Sequence, residues 1–220
     1  MRNIFKFLRK KDIGAIGIGA MIVFIAMVLV AGIAASVLIQ TSTRLESQAM
    51  RTGEQTTAEV STGMAIYDIV GHVNTTSSRI DRMGIMVRPR AGSMDIDLST
   101  TVLELSDSTN KYILTYDSNN YEYAPAAAGI FATDAFATLT ADDFGIIELE
   151  DADNSSTAAT PVINRGDKVL LTVNTSTTFG SGGITARVDI WGRVVPEEGA
   201  PGIIAFRTPS SLTEIVYELS

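Results

Sequence analysis

The chain has 220 residues, 45% of them hydrophobic, and a formal net charge of −8 at pH 7. It contains no cysteine, which excludes disulfide bonds, thiolate catalysis and cysteine-ligated zinc or iron–sulfur centres. Residues 1–14 hold five of the 17 basic residues and one of the 25 acidic residues, which leaves 12 basic and 24 acidic residues in 15–220. So acidic a chain is not expected to bind nucleic acid, because phosphate contacts need clustered Lys and Arg.

The N-terminal segment has five basic residues in its first eleven positions and then no charge from Ile13 to Thr43. Residues 15–39 are fifteen large apolar side chains and ten Ala, Gly or Ser. Burying those large side chains is worth on the order of 20 to 45 kcal/mol, at about 1.5–3 kcal/mol each. A soluble monomer could not expose this segment.

Three interpretations of this segment compete. A secretory signal peptide has an apolar region of about 7–15 residues, and this segment is much longer. A transmembrane anchor fits its length, with the preceding positive charges holding the N-terminus in the cytoplasm. The anchor alone does not explain Gly14, Gly17 and Gly19, which would weaken the helix at its entry and leave an unhindered site for a membrane protease.

The stretch KKDIGAIGIGAMIVFIAMVLVAGIAASVLIQTS closely resembles the N-terminus of archaellins, the filament subunits of the archaeal flagellum. The resemblance implies a basic leader, with Lys10 and Lys11 as recognition residues, that a membrane prepilin peptidase removes between Gly14 and Ala15. Type IV pilins share this leader but usually carry a glutamate at the fifth mature position. That position is Gly19 here, which favours an archaellin.

For the apolar helix, the resemblance implies two successive environments. The leader holds the precursor in the cytoplasmic membrane, because charges cross hydrocarbon at high cost. After cleavage the helix would move into a bundle of identical helices, with Ala31 and Ala35, and Gly32 and Ser36, allowing close approach. The apolar side chains expected to form this polymerisation surface are Ile18, Met21, Phe24, Met27, Leu29, Ile33 and Leu38.

Beyond Gln40, apolar or small residues recur at steps of three and four as far as Tyr67, which is helical periodicity. This pattern predicts that the helix continues to Val73. The expected organisation is therefore a leader in 1–14, a polymerisation helix in 15–73 and an outer domain in 74–220.

The outer domain has short alternating apolar runs separated by turn residues, which predicts an antiparallel β-sandwich. The predicted strands are 84–88, 94–98, 102–105, 112–116, 145–149, 168–174, 185–195 and 202–207. Trp191 and Phe206 are expected in the core, and 119–143 is expected to be a surface loop or peripheral hairpin. Residues 91–105, 143–155 and 194–211 also resemble archaellin sequences, which implies an immunoglobulin-like sandwich.

Three Asn-x-Ser/Thr sequons begin at Asn74, Asn154 and Asn174. A single sequon is a weak signal in a Thr-rich chain. All three fall in predicted loops or at element ends, and archaellins are commonly N-glycosylated, so all three are candidate glycosylation sites.

No catalytic, metal or cofactor site is predicted. His72, the single histidine, is expected to be a partly solvated residue near a helix end. The acidic run Glu148 to Asn154 lacks the glycine and further oxygens of a helix-loop-helix calcium site, so we expect a solvated loop there, with a surface cation site as the alternative.

The sequence thus predicts an archaellin that polymerises into an extracellular motility filament and is not an enzyme. Its expected partners are other archaellin subunits, the prepilin peptidase, the N-glycosylation machinery and the assembly motor, with transient insertion in the membrane. Two alternatives remain open at this point: an adhesive archaeal pilin, and a surface binding domain that stays anchored in the membrane.

Overall fold

The computed structural model describes residues 4–124 and 129–219, with side chains described from Gly14 onward except for that of Ala15. The chain divides into two compact units, Met1–Glu54 and Gln55–Ser220. The first unit is helical, and the second contains the β-domain.

Helix α1 spans Ile4–Ser61, 58 residues. It continues through Gly14, Gly17 and Gly19, so the predicted weakening of the helix entry does not interrupt the backbone. In its polar C-terminal part, the Thr43 and Thr52 hydroxyls donate to the carbonyls four residues earlier, each at 2.9 Å. These bonds satisfy the hydroxyls within the helix itself.

The prediction that the helix reaches Val73 is wrong. The helix ends at Ser61, and residues Met64–Asn74 form strand β1. In β1 the register against its neighbouring strand shifts between Ile66 and Asp68, so Tyr67 is an extra, bulged residue. Met64 is buried and Tyr67 is 65% exposed, so these residues, whose spacing of three fitted a helix, lie on opposite faces of β1.

In the part of the chain that the structure describes, ten further strands follow β1, and two of them form a separate two-stranded sheet. They are β2 Arg79–Pro89, β3 Ile96–Asp97, β4 Val102–Ser106, β5 Lys111–Tyr123, β6 Asp143–Glu150, β7 Val162–Ile163, β8 Lys168–Val173, β9 Asp189–Val195, β10 Gly202–Arg207 and β11 Val216–Glu218. All eight predicted strands overlap an observed one; β1, β7 and β11 were not predicted.

Nine of these strands form one sheet in the order β10-β9-β4-β5-β6-β8-β2-β1-β11, while β3 pairs with β7. Only the β5–β6 pair is parallel. The sheet curls, because the start of β1 meets the segment before β10: the Met64 N–H donates to the Ala200 carbonyl at 3.0 Å, and the Ala200 N–H donates to the Thr62 carbonyl at 2.9 Å. This curled, mostly antiparallel sheet follows a long apolar helix in the chain, which confirms the predicted α+β class, a helix and then a β-domain. It is consistent with an immunoglobulin-like sandwich.

The curled sheet encloses the main core. Buried residues of all ten strands from β1 to β10 contribute to it, and along the longer strands alternate residues point inward. They include Ile85, Leu105, Phe144, Leu171, Ile190 and Phe206.

Residues 129–139 form a second apolar layer on the outer face of the sheet. They contain two short 3-10 turns, Ile130–Ala132 and Asp134–Phe136, and Phe136 packs with Ile147 of β6 and Leu170 of β8. The Thr172 hydroxyl donates to the buried Ala135 carbonyl at 3.0 Å. The prediction of a peripheral loop over 119–143 is therefore wrong here: this part covers the central strands, which are buried on both faces.

Trp191 is not a core residue, contrary to the prediction. Its side chain is 50% exposed, whereas Phe206 is 8% exposed and lies in the main core. In β9 the inward positions are Ile190 and Val194, so alternation sends Trp191 outward. Aromatic character alone did not reveal which face of the strand it occupies.

We expect Phe206→Ala to destabilise the outer domain by about 3–5 kcal/mol, because it removes a buried aromatic ring. Trp191→Ala is expected to cost about 1 kcal/mol or less, since the ring is half-exposed. Urea unfolding of the full chain in detergent, followed by pulse proteolysis, measures both. Equal losses of stability in the two variants would contradict this assignment of the two faces.

Candidate functional site

The candidate polymerisation surface is the apolar part of α1. All seven predicted residues, from Ile18 to Leu38, are between 62% and 69% exposed. Among the described residues one helix, over Ile16–Ser61, is long and apolar enough to cross a membrane by length and composition. A helix that is apolar on every side needs lipid or other protein around it, and nothing within its own unit supplies that cover.

Small residues interrupt this apolar surface. A Cβ placed on Gly17, Gly19 or Gly32 would meet nothing within 4 Å. These glycines and the neighbouring alanines form shallow depressions in the helix surface. Such small-residue positions let a second helix approach closely enough for extensive van der Waals contact.

At the predicted leader junction, Gly14 is exposed, and a Cβ there would also meet nothing within 4 Å. No described side chain therefore crowds Gly14, although its backbone is helical, and cleavage at this junction stays a prediction. The side chains of Lys10, Lys11 and Ala15 lie outside the described residues.

The three sequons differ in accessibility. Asn74, at the end of β1, is exposed, and its Oδ1 accepts the Thr76 N–H at 3.0 Å. Asn154 is exposed in a turn, with a positive φ of 58°. Asn174 is half-buried between β8 and the short helix α2, Thr175–Thr178, and its Oδ1 accepts the Ser176 hydroxyl at 2.7 Å. Two of the three side chains are thus freely accessible.

The turn that follows β6, residues 151–156, is held in shape by hydrogen bonds from its own backbone N–H groups. The Asp151 carboxylate accepts the N–H groups of residues 153 to 156, at 2.7–3.3 Å. Hydrogen bonds from Ser155, and then from Asn164, lower the pKa of Asp153. Carboxylate oxygens of Asp151, Asp153 and Asp167 lie within 4.8 Å of one another, so these three residues could hold a cation.

His72 lies near the C-terminal end of β1, not near a helix end as predicted. Its Nδ1 lies 2.7 Å from an Asp81 carboxylate oxygen, and its ring centroid is 5.4 Å from that of Phe131. It lines a groove of about 690 Å³ together with Arg82 and the apolar residues of 129–132. As predicted, the imidazole is partly solvated, and its ring contact with Phe131 joins β1 to the covering segment.

The outer surface of the sheet carries a three-residue charge cluster. Glu104 of β4 accepts the Arg193 Nε–H at 2.5 Å and pairs with Lys111 at 3.0 Å. The hydrogen bond from Arg193, and then that from Lys111, lowers the pKa of Glu104 below 4.5. The Glu104 side chain is only 16% exposed, while both partners are about half-exposed.

Two further charged surfaces were not predicted from the sequence. Arg88, Arg90, Arg165 and Lys168 line one cleft, which we call the basic cleft. Asp95, Asp97, Glu197 and Glu198 line a smaller cavity, which we call the acidic mouth. Each set comes from two segments far apart in the chain, so no sequence motif could have revealed it.

Comparison with known proteins places this arrangement in a family. A family model described as archaeal-type flagellin matches residues 14–206. The chain is 42% identical over 211 residues to Flagellin B2 of Methanocaldococcus jannaschii, covering 95% of this chain and 94% of the relative. It is 39% identical over 228 residues to Flagellin B3 of Methanococcus voltae, covering 92% of this chain and 94% of that relative.

Two solved structures are similar as well. The crystal structure of archaeal flagellin FlaB1 from Methanocaldococcus jannaschii matches with a TM-score of 0.65 and 31% identity, over 72% of this chain and 96% of that chain. The archaeal flagellum of Methanospirillum hungatei matches with a TM-score of 0.63 over 91% of this chain and 98% of that chain. Because the sequence identity is 15%, this similarity concerns the fold alone.

The charge cluster predicts a pH-dependent stability. Because the pKa of Glu104 is lower in the folded state, its ionised carboxylate stabilises the folded protein at pH values above the ordinary pKa of 4.5. This stabilisation is lost as the pH falls through the folded-state pKa. We expect Glu104→Gln to lower stability at neutral pH by about 1 kcal/mol or less. The difference from wild type should shrink as pH falls through the lowered pKa of Glu104 and vanish below it, where both side chains are neutral.

Thermal midpoints of the full chain in detergent, measured across this pH range, test the expectation. Glu150→Gln is the matched control, since Glu150 and Lys168 are both more than half-exposed and their pair should contribute less. A Glu104→Gln deficit that is the same at acid and neutral pH would contradict an electrostatic origin.

Proposed function

This chain belongs to the archaeal-type flagellin family, and on that premise we propose that α1 is the element through which its copies polymerise. As a member of that family it is a structural subunit of an archaeal flagellar filament at the cell surface, and not an enzyme. The observation that carries the proposal is the exposure of every large apolar side chain between Ile16 and Ile39.

Transfer from membrane to filament is energetically feasible for such a helix. Lipid and a bundle of apolar helices are both apolar surroundings, so moving between them costs little in hydrophobic terms. What holds the precursor back is its basic leader, because each charge resists entering hydrocarbon by several kcal/mol. Removal of residues 1–14 takes away five basic residues, and the helix can then leave the bilayer.

The cut is proposed to fall between Gly14 and Ala15, where a membrane prepilin peptidase would find an exposed glycine that no described side chain crowds. A protease binds its substrate as an extended chain, so this part of α1 must unwind locally. Gly14, Gly17 and Gly19 lower the cost of unwinding by about 1 kcal/mol each relative to alanine. The assembly motor would then add the processed subunit to the filament.

Sheared extracellular filaments should contain this chain beginning at Ala15. N-terminal sequencing or mass spectrometry of the fibres measures this directly. Finding the chain only in membranes would overturn the filament role and favour a surface binding domain that stays anchored. Fibres from cells that attach but do not swim would favour an adhesive pilin.

Gly14→Val should block processing, so that a longer precursor accumulates in the membrane. The matched control is Gly17→Val, which introduces the same side chain at a glycine that is also unhindered but lies beyond the cut. Normal filaments from the Gly14 variant, or blocked processing in both variants, would reject the assigned junction.

The exposed sequons support a second proposal, that the N-glycosylation machinery modifies the outer domain. Asn74 and Asn154 present their side chains to solvent, whereas Asn174 is half-buried with its Oδ1 bound by Ser176. We therefore expect glycans at Asn74 and Asn154, and lower occupancy at Asn174.

Intact-mass measurement of purified filaments tests the glycans. Thr76→Ala should remove one glycan mass without altering Asn74, whose Oδ1 is bound by the backbone N–H of residue 76. Ser77→Ala is the control, since it changes the same turn and leaves the sequon intact. Filaments with the unmodified mass would exclude glycosylation.

A further inference from the structure

The basic cleft concentrates positive charge on a strongly acidic domain. Its volume is about 400 Å³, and it holds four of the 12 basic residues of 15–220. Arg88 and Arg90 lie at the end of β2, and Arg165 and Lys168 flank the turn into β8. All four side chains are exposed.

This positive charge is only partly balanced within the chain. Lys168 pairs with Glu150 at 2.5 Å, and the Arg88 guanidinium lies 5.4 Å from the centre of the Tyr67 ring. Across residues 4–124 and 129–219, no ion pair involves Arg90 or Arg165. Asp167 also lines the cleft, but it is buried, and its carboxylate accepts the N–H groups of Ala152 and Asn164.

The acidic mouth has the opposite character. Its four carboxylates line a cavity of about 180 Å³, beside Met94, which is well exposed. Asp97 accepts the Ser99 N–H at 2.8 Å, and Glu197 accepts the Thr100 hydroxyl at 3.4 Å. No cation of the described residues lies within ion-pair distance of any of the four.

The two surfaces border the same short segment at the start of β1. Thr62 lines the acidic mouth and Ala65 lines the basic cleft. The Arg90 N–H donates to the Gly63 carbonyl at 2.8 Å, which fixes the cleft to this segment. Although they are close in the fold, the opposite charges do not pair with each other within the chain.

A filament of identical subunits brings unlike surfaces together. Its subunits are related by one repeated operation, so each contact joins one patch of a subunit to a different patch of the next. Complementary charge sets the register of such contacts and disfavours wrong ones. We propose that the basic cleft of one subunit receives the acidic mouth of a neighbouring copy, which adds an outer-domain contact to the one made by the helices. This inference rests on the filament proposed above.

Cysteine cross-linking tests the contact directly, because the chain has no cysteine of its own. The double variant Arg165→Cys and Glu198→Cys, assembled into filaments and treated with a short bifunctional maleimide, should give a ladder of dimers, trimers and longer covalent chains. Either single variant should stay monomeric, since the two positions meet only across unlike surfaces.

The control pair is Arg207→Cys with Glu198→Cys, which moves one cysteine out of the cleft and should give no ladder. Filaments of the Arg165 and Glu198 double variant that yield only monomers would overturn the contact. They would leave the filament role intact, because the filaments themselves would be present. Dimers in a single variant would indicate a symmetric contact instead and also overturn it.

Charge reversal gives an independent test in a strain that lacks its own flagellins. Arg90→Glu with Arg165→Glu, or Glu197→Lys with Glu198→Lys, should lower the filament yield by about tenfold or more, because like charges then face each other. Combining all four substitutions should restore the yield. The control Arg187→Glu with Arg207→Glu makes the same change in charge outside the cleft and should assemble normally.

Protease resistance of the membrane-held subunits separates assembly from folding. Folded subunits of the four-substitution variant that remain unassembled would overturn the proposal, as would normal filaments from both double variants. Loss of filaments from the cleft variant alone would mean that the cleft holds an anion other than the acidic mouth. That result would also overturn it.

Discussion

The apolar surface of α1 is the constraint on which the rest of this molecule depends. Residues 15–39 contain no charge, and the large side chains among them lie exposed along the helix. Their gross preference to leave water is on the order of tens of kcal/mol, several times the net stability of a typical domain. No described residue of its own unit covers these side chains, so the helix needs a membrane or an assembly around it.

The outer domain has a hydrophobic core of its own. The curled sheet closes near Gly63 and Ala200 and encloses its own core. Its central strands are covered on the second face by residues 129–139, with Phe136 as the anchor. Gly145 of β6 has no side chain there because a Cβ would lie 2.5 Å from the Asn120 carbonyl oxygen. An independently folded domain is suited to a subunit whose helix changes surroundings.

The charged side chains on the surface of this domain fall into three groups, which differ in how their charge is compensated. Glu104 is neutralised within the sheet by Arg193 and Lys111, while Asp151 and Asp167 are satisfied mainly by backbone N–H groups. The basic cleft and the acidic mouth differ from both, because their charges remain largely unpaired in the subunit. Unpaired complementary charge on one molecule fits a protein whose contacts are with copies of itself.

The sequence by itself determined the apolar helix, the class of the outer domain and the approximate position of eight strands, because each depends on local periodicity and composition. Local periodicity and composition did not predict where the helix ends or that Trp191 points outward. The first was hidden by the spacing of Met64 and Tyr67, which fits a helix although the two residues face opposite sides of β1. The second depended on which face of β9 turns inward.

Only the tertiary structure decided which distant residues share a surface. Residues 88–90 meet 165–168 because β2 pairs with β8, and residues 94–97 meet 197–198 beside Thr62. Sequence periodicity specifies the face on which a residue lies, but proximity between segments a hundred residues apart depends on strand order and on the curl of the sheet.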